Sequence, residues 1–560
     1  MIKNRDSLNQ QGYKWSRHDW FYLGILLLMG IIIMFPGLSI RSLWGSEGRW
    51  AVIAREMIQS GNYFLPTING VVYFDKPLLS YWAIILFALR DGVTEVSLRL
   101  PSVMAGIGAC LITFAIGRRL FGSLSGFISG LLLMTTVMFI FWSRTGSAEL
   151  LNLCAIWLMF WLFISGGLEG RFSNLFLIYN IGAVSAFIKG PIAPSVVIFA
   201  VILYSLVRIL GKVNSLKNAL LEEFSWILSR NGLSCILFGI IAFILLLLMP
   251  VWVTGSWESV QLMWRENVER FFAPFDHVEP AYAYFKHVMV FTAPWTLLVI
   301  ASFFYYRTLW SEKTGQFILL ITIGIFLFFT LSGSRRSYYI LPLIPALMII
   351  TGKVLTDFLE KNRPLYLKFF FLLTGVLVGL SGFSLLYIYL RMDSLRHVSE
   401  PIICFFMIIG AILTIVFTLR KRIRQAFIIH LIMVLILEVW VFTTGVALAE
   451  RQRRDLRTFS QVIQKTLAGI GNEKIVIFRD VSSSLIFYLN RGRIKEIYTG
   501  QALKEFIRQH REGFIIVDLK NLKDFNEEID FFNQNLKPVV IEKGCEKRGE
   551  CVALYRFSHD

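Results

Sequence analysis

Six residues in four separated stretches have side chains suited to a phosphate held at a membrane surface. Glu47 and Arg49 stand in LWGSEGRW, Lys76 follows Asp75 in YFDKP, Glu149 closes SRTGSAE, and Arg335 and Arg336 are adjacent in GSRRSYY. An ammonium binds phosphate as a point charge and a guanidinium binds it through a planar fork. A carboxylate beside them can take a proton from an acceptor or orient it. Lys76 is the most telling cation, because Asp75 precedes it, Pro77 stiffens it and aromatic residues flank it. Lys189, in FIKGP, is a supporting cation fixed by a Gly-Pro turn.

Each has a plainer reading. Glu47 can simply complement the positive end of a helix capped by Ser46, and Glu149 can do the same before its own apolar run. Lys189 can be a snorkelling lysine, and the arginine pair a topological anchor. In RENVERFFAPFDHVEPAYAYF, residues Arg265, Glu266, Glu269 and Arg270 have the spacing of a charge-laced surface helix. His277 in the same stretch reads more simply as a satisfied polar residue than as a metal ligand. The length and aromatic content of Gly255 to His287 still suggest a lid over a cavity.

The elements that position these residues are membrane helices. The chain has 560 residues, 56% of them hydrophobic and 17% charged, with a mean hydropathy of +0.62. That exceeds what a water-facing fold buries. At about 20 residues per span, the apolar runs predict about thirteen transmembrane helices. The first, Phe21 to Leu38, follows basic residues without a small-residue cleavage site and reads as a retained span. The net charge of +18 is explained by loop lysines and arginines, so nucleic acid is not implied. Cys110, Cys154, Cys235 and Cys404 lie in apolar runs; Cys545 and Cys551 could close a small loop in an oxidising compartment. No His or Cys pair has zinc spacing.

Loop charge sets the direction. Arg118 and Arg119, the cluster Arg208 to Arg230, Lys353 to Lys368, and Arg420 to Arg424 fall in alternate loops on the side of the basic N-terminus. That side is expected to be cytoplasmic. The unusual segments all fall on the other side: Leu43 to Trp82, Arg144 to Glu149, Lys189 to Pro191, Gly255 to His287, Gly333 to Tyr338, and everything after Glu450. Arg335 and Arg336 then contradict the charge rule, and phosphate binding would give them a reason to be there.

Within the first outer segment, Trp50, Ile53, Ala54, Met57 and Ile58 recur on one helical face. The spacing predicts an interfacial helix, capped by Ser46 and ended by Gly61, with its apolar face toward acyl chains. The expected organisation is a transmembrane domain over 1–450, whose first outer loop is 42–95, and an extramembrane α/β domain over 451–560. In that tail Lys474 to Phe478, Leu485 to Tyr488 and Phe514 to Val517 read as β-rich runs, and Gln501 to His510 as a helix.

Read together, LWGSEGRWAVIAREMIQSGNY, NGVVYFDKPLLSYW, SLRLPS, FIKGP, ENVERFF and SRRSYYILPLIPAL resemble the polyprenyl-phosphate-sugar glycosyltransferases of GT-C architecture. The likeness is strongest to the aminoarabinose transferase (ArnT) branch, with protein O-mannosyltransferases as more distant relatives. The resemblance implies inverting transfer of a sugar from undecaprenyl phosphate to a lipid A-like or envelope glycan acceptor, at the periplasmic face of a bacterial inner membrane. The phosphate would be the leaving group, stabilised by Arg49, Lys76, Arg335 and Arg336, with Glu47 and Glu149 as catalytic carboxylates. Ser46, Asp75, Lys189, Arg270, His277, Tyr338 and Tyr339 would support them or touch substrate. The family usually has an Asp-Glu pair where this chain has Ser46 and Glu47, and Glu where it has Asp75. The expected partners are the lipid-linked donor, a lipid or glycan acceptor, and membrane lipids. No cofactor is expected, and a divalent metal is left open. Two other readings stand beside this one: protein O-glycosylation, and transport of a lipid-linked glycan, which would call for ionisable residues and broken helices in mid-membrane.

Overall fold

The computed structural model describes residues 14–74, 76–211, 216–269, 272, 279–361, 366–391, 399–447, 456–521, 525, 536–542 and 552–558. Asp75, Arg270, His277, Cys545 and Cys551 lie outside the described residues. The chain divides into two compact units, one of Met1–Pro36, Asp75–Ser80 and Arg99–Val441, the other of Gly37–Phe74, Tyr81–Leu98 and Phe442–Asp560.

Among the described residues eleven helices are long and apolar enough to cross a membrane, or twelve if one bent pair counts as a span. The chain is thus a multi-span helical membrane protein, with fewer uninterrupted spans than the apolar runs predict. The early elements are α1 (Arg17–Met34), α2 (Glu47–Ser60), β1 (Thr67–Ile68), β2 (Val71–Val72), α3 (Leu79–Ala88), α4 (Glu95–Phe121), α5 (Ser123–Met134), α6 (Val137–Ser143), α7 (Glu149–Leu162), α8 (Phe172–Lys189) and α9 (Ile192–Leu210). Small residues set the helix crossings of the first unit. A Cβ on Gly239 would lie 2.7 Å from that of Tyr179, and one on Gly324 would lie 2.7 Å from the Cα of Ala200. Such close approach lets helices pack without a hydrophobic driving force between them.

Two expected spans are broken, and they break against each other. The run Leu124 to Phe141 forms α5 and α6, bent by 69°. Val288 to Phe304 becomes the helices Ala283–Phe291 and Thr296–Phe303. At the first break Thr135 and Thr136 return their hydroxyls to the carbonyls of Leu131 and Leu132, each at 2.7 Å. The Val137 N–H donates to the Ala293 carbonyl at 3.0 Å, and the Trp295 indole donates to the Thr135 carbonyl at 3.1 Å. Irregular backbone at membrane depth is tolerated where protein satisfies it. Each break supplies the hydrogen bonds the other leaves open, a pairing that hydropathy does not record.

The tail of the second unit is a mixed five-stranded sheet of order β4-β3-β5-β7-β6, from β3 (Ile475–Phe478), β4 (Lys495–Ile497), β5 (Glu512–Asp518), β6 (Lys537–Ile541) and β7 (Val552–Ser558). Alternate residues serve opposite faces. Ile475, Ile477, Phe514 and Ile516 pack with Leu456, Ile463 and Leu485; Val476, Phe478, Ile515 and Val517 pack with Leu503 and Phe506. Both faces are covered, which is why these strands read as unbroken apolar runs. The expected β-rich run Leu485 to Tyr488 is instead the helix Ser483–Leu489. Ser482 caps it through the Leu485 N–H, and Asn490 ends it in the left-handed region.

Candidate functional site

In the first unit the structure brings four of the sequence segments together. Helix α8 stops at Lys189 because Gly190 takes a φ of 77° before Pro191. The Lys189 ammonium meets the Glu149 carboxylate at 2.5 Å. It also lies over the rings of Tyr339 and Tyr338, 4.6 and 5.5 Å from their centroids. Glu149 opens α7, its own N–H turned back onto the Ser147 hydroxyl at 3.4 Å. Both side chains of the pair are nearly buried, 13% and 12% exposed.

Tyr338 and Tyr339 lie in the 3-10 stretch Ser337–Leu343. The Arg336 guanidinium donates to the Tyr338 hydroxyl at 2.8 Å and lies 6.0 Å from the same ring. Lys189 and Arg336 therefore share one phenol, and Trp142 packs on that phenol with centroids 4.5 Å apart. Arg335 is used differently. Its guanidinium bonds the carbonyls of Glu279 at 2.5 Å and Thr330 at 3.0 Å, closing the end of helix Lys313–Leu331.

The segment carrying Lys76 joins this group through backbone. The Ser80 hydroxyl donates to the carbonyl of Ile188, the residue before Lys189, at 2.9 Å. Lys76 itself meets Glu266 at 3.4 Å. Glu266 lies in the turn Arg265–Glu269, so the stretch expected to act as a lid does reach a site cation. Nothing in the local pattern marks that pairing, because Glu266 reads equally well as one member of an i, i+4 surface lattice. Arg144 was also missed. It is buried, and it donates to the Met34 carbonyl at 2.8 Å at the end of α1, which fixes the turn before Glu149.

In the second unit, Glu47 and Arg49 begin α2. Glu47 is fully buried. Its carboxylate accepts from the Trp44 N–H at 2.9 Å and pairs with Arg41 at 3.3 Å. Ser46 occupies the N-cap position but makes no side-chain cap bond, while Gly61 does end the helix at a φ of 68°. Arg49 donates to the Tyr73 hydroxyl at 2.6 Å, a partner from the aromatic strip that the sequence marks only as a neighbour of Lys76. The helix does not turn its apolar stripe to acyl chains: Trp50, Ile53, Ala54 and Met57 are buried in protein, with Trp50 on Tyr81 at 4.8 Å.

Among the described residues no group of three or more His, Cys, Asp or Glu side chains is placed to hold a metal ion. What the first unit assembles is cationic and aromatic: ammonium and guanidinium groups on tyrosine faces, each within reach of a carboxylate or phenol. Such a set can hold an anion and follow the growth of charge on it.

Residues 75–253 match the family described as dolichyl-phosphate-mannose-protein mannosyltransferase. The chain is 24% identical over 372 residues to an undecaprenyl phosphate-alpha-4-amino-4-deoxy-L-arabinose arabinosyl transferase of Shewanella sediminis, covering 65% of this chain and 64% of that relative. It is 25% identical over 420 residues to a Pseudomonas fluorescens protein of the same description, covering 70% of each. The first of these relatives is thus matched over less than two thirds of its length. The crystal structure of ArnT from Cupriavidus metallidurans bound to undecaprenyl phosphate superposes with a TM-score of 0.69 at 15% identity, covering 97% of this chain and 98% of that one.

Proposed function

We propose, from the premise that the chain is an ArnT-like protein of GT-C fold, that it is a glycosyltransferase. It moves a sugar from a polyprenyl phosphate to a lipid A-like acceptor in a bacterial inner membrane. The observation that carries this reading is the cluster in which Lys189 and Arg336 share Tyr338, with Lys76 tied alongside through Ser80 and Ile188.

In the proposed reaction the bond from the sugar's anomeric carbon to the phosphate oxygen breaks, and the electron pair leaves on the phosphate. Cations fixed beforehand lower that barrier most, because they pay no reorganisation as charge develops. Lys76 and Arg336 take that role, Arg49 is assigned to it by the resemblance, and Arg335 supports the backbone on which Arg336 sits. The acceptor oxygen bonds to the opposite face of the carbon. A lipid A phosphate needs no base for this, whereas a hydroxyl needs Glu149 or Glu47 to take its proton. Lys189 holds Glu149 oriented in either case.

The orientation we propose puts the N-terminus in the cytoplasm and the tail sheet in the periplasm, on the strength of loop charge. Residues 1–450 form the transferase domain and 451–560 the outer domain. A second reading, transfer to protein, draws on the family matched by residues 75–253. Transport is less favoured. The last span does bury His430 and Glu438, and α5 and α6 do form a broken helix, so the charges are not confined to one rim. The sequence similarity over two thirds of the chain nevertheless runs to transferases.

The test is mass spectrometry of envelope lipids, glycans and proteins from cells with the gene, without it, and with Lys76→Ala. A sugar on a lipid A-like acceptor that disappears in both altered strains supports the proposal. Modification found only on protein supports the second reading, and three identical profiles defeat both.

A further inference from the structure

The tail domain holds the segment that enters α2 and packs along the helix itself, and α2 begins with Glu47 and Arg49. At the entry, the Tyr488 hydroxyl accepts from the Leu43 N–H at 2.9 Å and donates to Glu95 at 2.9 Å. Burial, then the Glu95 charge, raises the Tyr488 phenol above its ordinary range, so it keeps the proton it donates. Arg457 pairs with the same Glu95 at 2.7 Å and donates to the Ser39 carbonyl at 2.8 Å. The strand of chain leading into α2 is thus bonded on either side of Arg41, the ion-pair partner of Glu47.

Along the helix, Gly48 sits between the two functional candidates and directly against Ser484. A Cβ there would overlap the Ser484 backbone nitrogen as well as its hydroxyl, so shortening Ser484 could not make room for it. In the third turn of α2, Arg55 donates to the carbonyls of Phe487 at 2.8 Å and Ile486 at 3.3 Å and lies over the Phe487 ring at 5.3 Å. Those carbonyls end the helix Ser483–Leu489, the pole a cation favours. The hairpin of β1 and β2 is held in the same way. Glu56 accepts from Thr67 and from the Asn69 N–H, and Asn69 bonds the backbone of Ile494 in both directions, at 2.7 and 2.8 Å.

We infer that the helix Ser483–Leu489 is a positioning element for Glu47 and Arg49, with Tyr488 and Arg55 as its positioning residues and Gly48 as the bearing surface. This rests on the proposed transferase reading for its consequence, though not for its geometry. A rigid supporting shell is what keeps catalytic groups within the small tolerance that turnover demands, where a displacement near 1 Å can cost about 100-fold.

The experiment uses the full-length protein in lipid nanodiscs, with Tyr488→Phe, Arg55→Gln and Gly48→Ala. Tyr488→Phe keeps the ring and its packing while removing both hydroxyl bonds, so it remains informative if Gly48→Ala fails to fold. Amide hydrogen exchange over residues 43–60 should speed up about 10-fold or more in Tyr488→Phe and Arg55→Gln. In the transfer assay kcat should fall about 10-fold, with KM for the lipid donor within about 2-fold of wild type. Exchange unchanged from wild type in both variants overturns the inference, as does faster exchange with kcat intact. If wild-type protein transfers no sugar to any acceptor, the functional reading fails, and the exchange data alone decide whether the grip exists.

Discussion

Among the described helices that begin with a glutamate, α2 and α7 handle the carboxylate in opposite ways. At the start of α2, Glu47 meets the Trp44 N–H and Arg41 of the loop before it. At the start of α7, Glu149 is satisfied by Lys189 at the far end of α8, on the faces of Tyr338 and Tyr339. A partner six residues away comes with the loop that enters the helix, whatever then holds that loop in place. A partner forty residues away exists only if the end of α8 is folded back onto the start of α7. The plain reading of a helix-end acid therefore describes Glu47 well and Glu149 poorly.

The strongest way to break this contrast is to remove Lys189. Lys189→Met should leave Glu149 buried without its cation, costing about 3 kcal/mol of stability and abolishing transfer, as read by thermal unfolding and by turnover in nanodiscs. Wild-type activity in that variant would put Glu149 on a par with Glu47. Next, Lys76→Ala should lower kcat about 100-fold while the protein stays folded, because Lys76 is partly exposed where it meets Glu266. Third, Glu149→Gln should reduce turnover more than Glu47→Gln when the acceptor is a hydroxyl, and the two should converge when it is a phosphate. Equal losses with both acceptors would remove the distinction drawn here. The smallest effect belongs to Ser46→Ala. With no cap bond to lose, it should cost under about 0.3 kcal/mol, where a working cap costs about 1 kcal/mol.

Much of this was legible in the sequence. Loop charges and apolar runs identify a multi-span membrane protein, and the strings around Glu47, Lys76, Lys189 and Arg336 point to the fold that ArnT shares. Where the reading failed, a distant partner overrode a local pattern. Thr135 and Thr136 look like ordinary span residues until the carbonyl of Ala293 arrives to meet the Val137 N–H. The stripe from Trp50 to Ile58 has the periodicity of a lipid-facing helix, and periodicity cannot say whether the covering surface is lipid or protein such as Tyr81, on which Trp50 packs. Leu485 to Tyr488 has β-rich composition, but the Ser482 cap and Asn490 stop decide for helix. Arg335 and Arg336 are indistinguishable by type, and only their neighbours separate the one that closes a helix end from the one that shares a phenol with Lys189.

The helix Arg230–Thr254 faces outward along much of its length, with Leu237, Ile241 and Leu245 exposed. It leads directly into the short helix Glu258–Trp264 and the turn that presents Glu266 to Lys76. Such a rod answers to hydrocarbon thickness by tilting, and a tilt at its base is carried to the carboxylate at its tip. Assays of this protein in short-chain detergent and in a bilayer of native thickness would accordingly sample different separations of that ion pair, so lipid composition belongs among the controlled variables of any kinetic comparison.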